Sequence, residues 1–183
     1  MKTKKRCSWV NATEEIYIKY HDKEWCKPVH NDVKLFENLI LETFQAGLSW
    51  ITILKKREHF RKAFDKFNIE KIIKYDETKI EELLNNKNII RHRGKIESAI
   101  NNAKIFKEIQ NEYGSFDKYV WSFTDGKTLK DTNENYKTKS PLSDKISKDL
   151  KSKGMKFVGS ITIYSYLESI GILDNHEHEC YKY

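Results

Sequence analysis

The chain closes with "DNHEHECYKY", which sets His176 and Cys180 four residues apart, one helical turn, so that an imidazole and a thiol can face the same ion. His178 offers a second imidazole in the same tail. Two ligands make half of a tetrahedral site, and Cys7, just before a first predicted helix, and His21, on it, are the candidates for the other half. Such a Cys2His2 set would hold one structural zinc per chain and tie the two ends together, and four protein ligands leave no open position for metal catalysis. Apparent binding free energies for such sites reach about 10–16 kcal/mol. The spacing is not that of a zinc finger, and it also reads as three thiols beside a histidine-rich tail.

A second candidate chemistry centres on one carboxylate. In "LILETFQAGLSWITIL" Glu42 stands in an apolar helical run shortly before a Gly-Leu-Ser-Trp break. On a helical wheel it falls at the edge of an inward arc made by Phe36, Leu39, Ile40, Thr43 and Phe44. One reading is a surface salt bridge with one of many lysines; the other is a half-buried acceptor facing a pocket. Burial without a partner costs several kcal/mol or forces protonation, so the pocket reading requires a ligand with donors, of about that much compensating strength.

Upstream, "YIKYHDKEW" places Tyr17, Tyr20, His21, Glu24 and Trp25 on a broad helical face. Aromatic residues so spaced ordinarily form core, but the polar groups among them also fit a slot for a flat, electron-poor ligand. A third pattern is "NIIRHRGKI", in which Arg91, His92, Arg93, Gly94 and Lys95 lie immediately before a helix. Helix N-terminal amides bind anions and a glycine admits a phosphate closely, so the turn reads as a DNA-backbone contact or as a basic, solvated turn.

Helices must position all three patterns. Apolar residues recur at helical spacing nearly throughout, and the 183 residues include only seven Gly and two Pro, so the expectation is an all-α fold. A first helix is expected from an N-cap at Thr13 to about Trp25, and a second from a cap at Asp32 through Ala46, with Gly47 as its left-handed terminator. Ser49 caps a third, "WITILKKREHFRKAF". Shorter helices are expected in "IEKIIKY" and "ETKIEELLNN", a long one from about Gly94 to Glu112, and another in "FDKYVWSF". Asp125 to Pro141 reads as an exposed loop; helix resumes at Ser143 and ends with "VGSITIYSYLESIG".

Hydrophobic residues make up 38% and charged ones 33%, which predicts a packed single domain over residues 1–183 rather than a disordered chain. No apolar run approaches the roughly 20 residues that span a bilayer, and "MKTKKRCSWVN" has no apolar signal core, so no membrane association and a cytoplasmic location are expected. Three cysteines without an export signal argue for thiols or metal ligands over disulfides. A net charge of +7 is compatible with a nucleic-acid partner and equally with a lysine-rich solvated surface.

The segments "RCSWV", "YIKYHDKEW", "LETFQAGLSWITILKKRE", "NIIRHRGKI" and "KGMKFVGSITIYSYL", followed by the His176 to Cys180 tail, together resemble the bacterial 3-methyladenine DNA glycosylase I family of the helix-hairpin-helix superfamily. The resemblance spans nearly the whole chain. It implies an all-α helix-hairpin-helix glycosylase fold and a zinc held by Cys7, His21, His176 and Cys180. It further implies a base pocket of Glu42 with Tyr17, Tyr20, Trp25 and Trp50, Gly47 and Leu48 at the gap left by an extruded nucleotide, and a backbone-gripping hairpin at Arg91, His92, Arg93, Gly94 and Lys95. Phe44 stands where relatives more often carry a polar residue, and Asn88 replaces a common glycine.

The implied activity is hydrolysis of the N-glycosidic bond of 3-methyladenine in alkylated double-stranded DNA by a monomer, with free 3-methyladenine as product. No lysine is marked as a nucleophile, so strand cleavage is not expected. Glu42 would accept hydrogen bonds from the flipped base and Leu48 would fill the vacated space. Two rival readings are a zinc-stapled DNA-binding protein without glycosylase activity and a helical protein-interaction module.

Overall fold

The computed structural model describes residues 4–130 and 137–183. Among them are nine α-helices: α1 Glu15–Lys23, α2 Asp32–Gln45, α3 Trp50–Ala63, α4 Ile69–Ile72, α5 Glu77–Asn85, α6 Arg93–Tyr113, α7 Phe116–Ser122, α8 Pro141–Ser152 and α9 Ser160–Ser169. Two short strands, β1 Leu129–Lys130 and β2 Leu173–Asp174, pair in parallel.

α2 lies at the centre, packed by α3, α6, α7 and α9. Leu35, Phe36, Leu39, Ile40, Leu41 and Phe44 are all buried, and so are Glu37, Glu42 and Thr43. The sequence predicts one inward arc for this helix; the structure surrounds it. From Leu35 to Phe44 every residue but Asn38 is buried, so the residue at position 42 is inside whatever its chemistry.

Several caps differ from expectation because polar side chains found longer-range partners. Asn31, not Asp32, caps α2 by accepting from the Lys34 N–H at 3.0 Å. The Asp32 carboxylate instead accepts from the backbone N–H groups of Phe116 and Asp117, both at 2.9 Å, and so fastens α7 to α2. Thr13 donates to Asn11 and α1 begins only at Glu15. α8 starts at Pro141 under a reciprocal cap between Ser140 and Ser143, two residues before the predicted restart.

β1 falls in the stretch expected to be loop, of which residues 131–136 lie outside the described ones. The pair matters to the site because β2 carries Asp174 into the C-terminal tail. Gly47 has φ 82° and ends α2 as expected. Gly171, with φ 75°, has a different reason: a Cβ there would lie 2.2 Å from the Lys27 carbonyl carbon. This close approach lets Cys26 N–H donate to Glu168 O and Val29 N–H to Ile170 O, both at 3.0 Å, joining the segment after α1 to the end of α9. No described helix is long and apolar enough to cross a membrane.

Candidate active site

Glu42 is 4% exposed, and no ion pair among the described residues involves it. The surface salt-bridge reading is therefore overturned: the helix face that would have met solvent is covered. Burial pushes the carboxyl group well above its ordinary range, and the nearby Glu168 carboxylate pushes it further. Glu168, near the end of α9, is itself lifted to about 7 by burial, against the opposing effect of Asn175, whose Nδ2 donates to it at 2.8 Å. Asn175 Nδ2 also donates to the Tyr164 hydroxyl at 2.8 Å. Burial raises the Tyr20 phenol, with smaller contributions from Glu42 and Glu168, so all three groups share one poorly solvated region. In the free protein this chemistry favours a protonated Glu42.

Flat rings gather beside it. Tyr20 and Trp50 lie 5.4 Å apart between ring centroids, and the buried Trp50 indole N–H has no acceptor. Trp9 is the hub of the remaining aromatics, meeting Tyr17 at 5.3 Å, Tyr20 at 6.4 Å and Trp25 at 4.9 Å, each edge to face. Burial raises the Tyr17 phenol, and the Ile51 backbone N–H in the first turn of α3 partly offsets this. Arg57 on α3 grips the Glu24 carboxylate with two bonds of 2.6 and 2.9 Å, so Glu24 belongs to the frame and not to the slot.

On the other side of Trp25 the two chain ends meet. His21 Nε2 is 3.3 Å from Cys7 Sγ and 3.5 Å from Cys180 Sγ, and one ligand atom from each of the three lies within 4.8 Å of the others. The His176 ring is 5.2 Å from that of His21, and its Nε2 is buried with no partner. Both imidazoles use Nδ1 on a carboxylate, His21 with Asp22 at 2.8 Å and His176 with Asp174 at 2.6 Å. Asp22 is in turn held by Arg6 in a two-bond fork and stays below the usual carboxylate range. Burial pushes the Cys7 thiol up to about 12. His178, the alternative ligand, is exposed and lies against the Tyr183 ring.

At the third pattern, α5 and α6 flank a turn whose residue His92 caps α6 by accepting the Lys95 N–H at 3.2 Å. Arg91 and His92 are exposed. Arg93 is engaged by Glu77, Glu81 and Glu97. Lys95 departs from the expectation of an outward cation: it is 6% exposed and its Nζ donates to Phe44 O and Ala46 O at 2.8 and 2.7 Å, holding the end of α2 to the start of α6. In the break after α2, Gln45 Nε2 donates to Leu48 O at 2.7 Å, and Leu48 is displayed with 37% of its surface exposed.

Residues 9–183 match the family model described as methyladenine glycosylase. The chain belongs to the methyladenine glycosylase family. It is 42% identical over 178 residues to a DNA-3-methyladenine glycosylase of Haemophilus influenzae, covering 96% of each chain. A crystal structure of 3-methyladenine DNA glycosylase I superposes with a TM-score of 0.93 at 42% identity, over 97% of this chain and 98% of that one. A single-residue variant of a 3-methyladenine DNA glycosylase I in complex with 3-methyladenine matches at TM-score 0.92 and 37% identity, covering 96% of both chains.

Within this family frame, two residues that sequence reasoning did not assign to the site stand out. Trp9 was visible only as part of "RCSWV", with no helical register to relate it to Tyr17 or Trp25. Glu168 sits in an apolar helix as Glu42 does, but 126 positions away, so nothing local links the two. The two departures from the family pattern also resolve. Phe44 is fully buried, edge to face with Phe60 at 4.8 Å and Phe64 at 5.8 Å, in the core. Asn88 is not among the residues with positive φ, so its turn does not require a glycine.

Proposed function

We propose that this protein excises 3-methyladenine from alkylated duplex DNA by hydrolysing the N-glycosidic bond, without cutting the strand, as a base-excision repair enzyme. The observation that carries the reading is Glu42: a carboxyl group only 4% exposed, close to Tyr20, whose ring meets that of Trp50, with no donor or cation paired to it among the described residues. Its relatives' names, and the 3-methyladenine bound to one of the matching structures, supply the ligand that fits.

An N3-methylated adenine in DNA carries a positive ring. Entering the slot, that charge favours the ionised form of Glu42, whose proton passes to solvent, and the carboxylate becomes its partner while the purine's exocyclic N–H donates to it. The free Trp50 N–H seeks an acceptor on the same flat ligand. Neutral adenine brings no charge and gains far less. When the C1′–N9 bond breaks, its electron pair enters the ring and cancels the charge, so the base leaves neutral with little acid assistance. Water oxygen bonds to C1′ and its proton goes to solvent. Glu42 is thus a recognition residue whose contribution is made in the bound complex and not a general base.

Unpairing and extrusion of the base precede this, and cost less for a damaged base. The α5–turn–α6 unit acts as the helix-hairpin-helix element that grips the DNA backbone through Arg91, His92, the Gly94 approach and the first amides of α6. Gly47 and Leu48 occupy the gap. Lys95 serves through its inward bonds, setting that hairpin against the Leu48 turn.

A structural zinc fits the terminal cluster, because His176 Nε2 is a buried, partnerless donor and both imidazoles have their other nitrogen oriented by a carboxylate. Cys7, His21, His176 and Cys180 would hold it, and bound zinc would supply a cross-link between the chain ends. Elemental analysis should find about one zinc per chain, and Cys180→Ser should lose it. Chromatography of bases freed from methylated DNA tests the enzyme: 3-methyladenine release by wild type and its loss in Glu42→Ala is expected, and DNA binding without any base release would sink the proposal.

A further inference from the structure

α9 brings a second carboxyl group to the region of Glu42. Asn38 stands one turn before Glu42 on the same face of α2, and its Nδ2 donates to Ser169 O at 3.3 Å. That face of α2 therefore looks onto the last turn of α9, where Glu168 is the neighbour of Ser169. On the other flank the Cys26 N–H donates to Glu168 O at 3.0 Å, so the segment just after Trp25 closes on the same turn. Glu168 is half-buried where Glu42 is buried, which leaves it reachable from solvent.

Its orientation is held from the tail. Asn175 Nδ2 donates to Glu168 Oε1 and to the Tyr164 hydroxyl, both at 2.8 Å, while Asn175 Oδ1 is buried with no partner. An amide that leaves its own acceptor unmet in order to donate is fixed by the carboxylate it serves, since the reversed amide would set oxygen against oxygen. One Glu168 oxygen is so engaged, and the other has no partner among the described residues. The groups around it are Glu42 from α2, Tyr20 from α1, Cys26 from the segment after α1 and Tyr164 on its own helix, and none of these is a cation. Two acids are thus brought together in a poorly solvated region where Glu42 and the Trp50 indole N–H are both buried and unanswered.

We propose that Glu168 is a second recognition acid of the base slot, and that a positively charged base enters between it and Glu42. The proposal rests on the base-excision reading and sharpens it. A charge placed between two carboxylates lies nearer to each than they lie to one another, so its attraction to both outweighs their repulsion. A neutral purine of the same shape leaves that repulsion standing. Selection by charge comes from the pair, while the Trp50 N–H and the flat rings select by shape.

The test is calorimetric binding of 3,9-dimethyladeninium, in which a methyl group replaces the sugar and the charge is permanent, beside neutral 9-methyladenine. At about pH 8, where Glu168 is ionised, Glu168→Gln should weaken binding of the cation about tenfold and leave the neutral purine within about twofold. At about pH 5, where wild-type Glu168 holds its proton, the gap between wild type and variant should close. Asn175→Ala, which frees the Glu168 side chain, should bring part of the same charge-selective loss at the higher pH. A Glu168 that merely supports the fold would weaken both ligands alike at both pH values, and that result overturns the proposal. Glu42→Gln separates the two readings. If it weakens cation binding while Glu168→Gln stays within about twofold of wild type at the higher pH, the second acid is overturned and the base slot stands. If wild type binds the cation no more tightly than the neutral purine, the base-excision reading fails and the acid pair with it.

Discussion

Two glutamates on one helix, five residues apart, meet opposite fates. Glu37 is 6% exposed and accepts from Lys34 at 3.0 Å and from Arg61 at 3.0 and 2.7 Å. Glu42 is as deeply buried and, among the described residues, is paired with neither cation nor donor; the charged group that shifts it is another carboxylate, Glu168. Glu37 has been neutralised by the fold. Under the proposed function, Glu42 is left for a ligand. A buried acid without a partner opposes folding, so its presence in the central helix is informative about function in a way that the equally buried Glu37 is not.

The sharpest way to break this comparison is base release. Glu42→Ala should lower 3-methyladenine release by about a hundredfold or more, while Glu37→Ala should leave turnover per folded molecule within about twofold. Equal losses in both variants would erase the distinction. Stability should then invert the order. Glu37→Ala removes the buried acceptor shared by Lys34 and Arg61, the latter keeping Glu58, and should cost about 1–2 kcal/mol in denaturant unfolding. Glu42→Gln removes a buried ionisable group with no partner, and is expected to be neutral or to stabilise by up to about 1 kcal/mol at pH 8.

The smallest effect is a pH signature of the Glu42 and Glu168 neighbourhood. Burial lifts Glu168 from 4.5 to about 7, so the folded state holds its proton more tightly than the unfolded chain does. Below 4.5 both states are protonated and pH has no leverage through this group; above about 7 both are ionised and the cost of burying the charge is felt in full. Stability should therefore decline across that window, and Glu168→Gln should flatten the decline. A stability profile in which Glu168→Gln and wild type run parallel from pH 4.5 to 7 would remove Glu168 from this environment.

Local patterns determined much of the site. The aromatic face of α1, the Gly47 terminator, the Leu48 turn and the terminal cysteines and histidines were legible because each depends on residue type and on spacing within one turn or one break. Helix ends were less legible: Asp32 is as good a cap as Asn31 by type, and only the approach of α7 decided which role it takes. The inward turn of Lys95 was equally hidden, since a lysine in a basic turn looks solvated until the carbonyls at the end of α2 are brought to it.

By itself, the sequence determined an all-helical chain, the order of its helices, and the family whose motifs it carries, because helix periodicity, caps and motif strings are properties of neighbours along the chain. Tertiary structure decided whether Glu42 faces water or the interior, that Glu168 lies near it, that Trp9 joins the aromatic cluster, and that His176 packs on the His21 ring while His178 is exposed. Those outcomes depend on what covers each face, and burial is the property that separates Glu42 from an ordinary surface carboxylate.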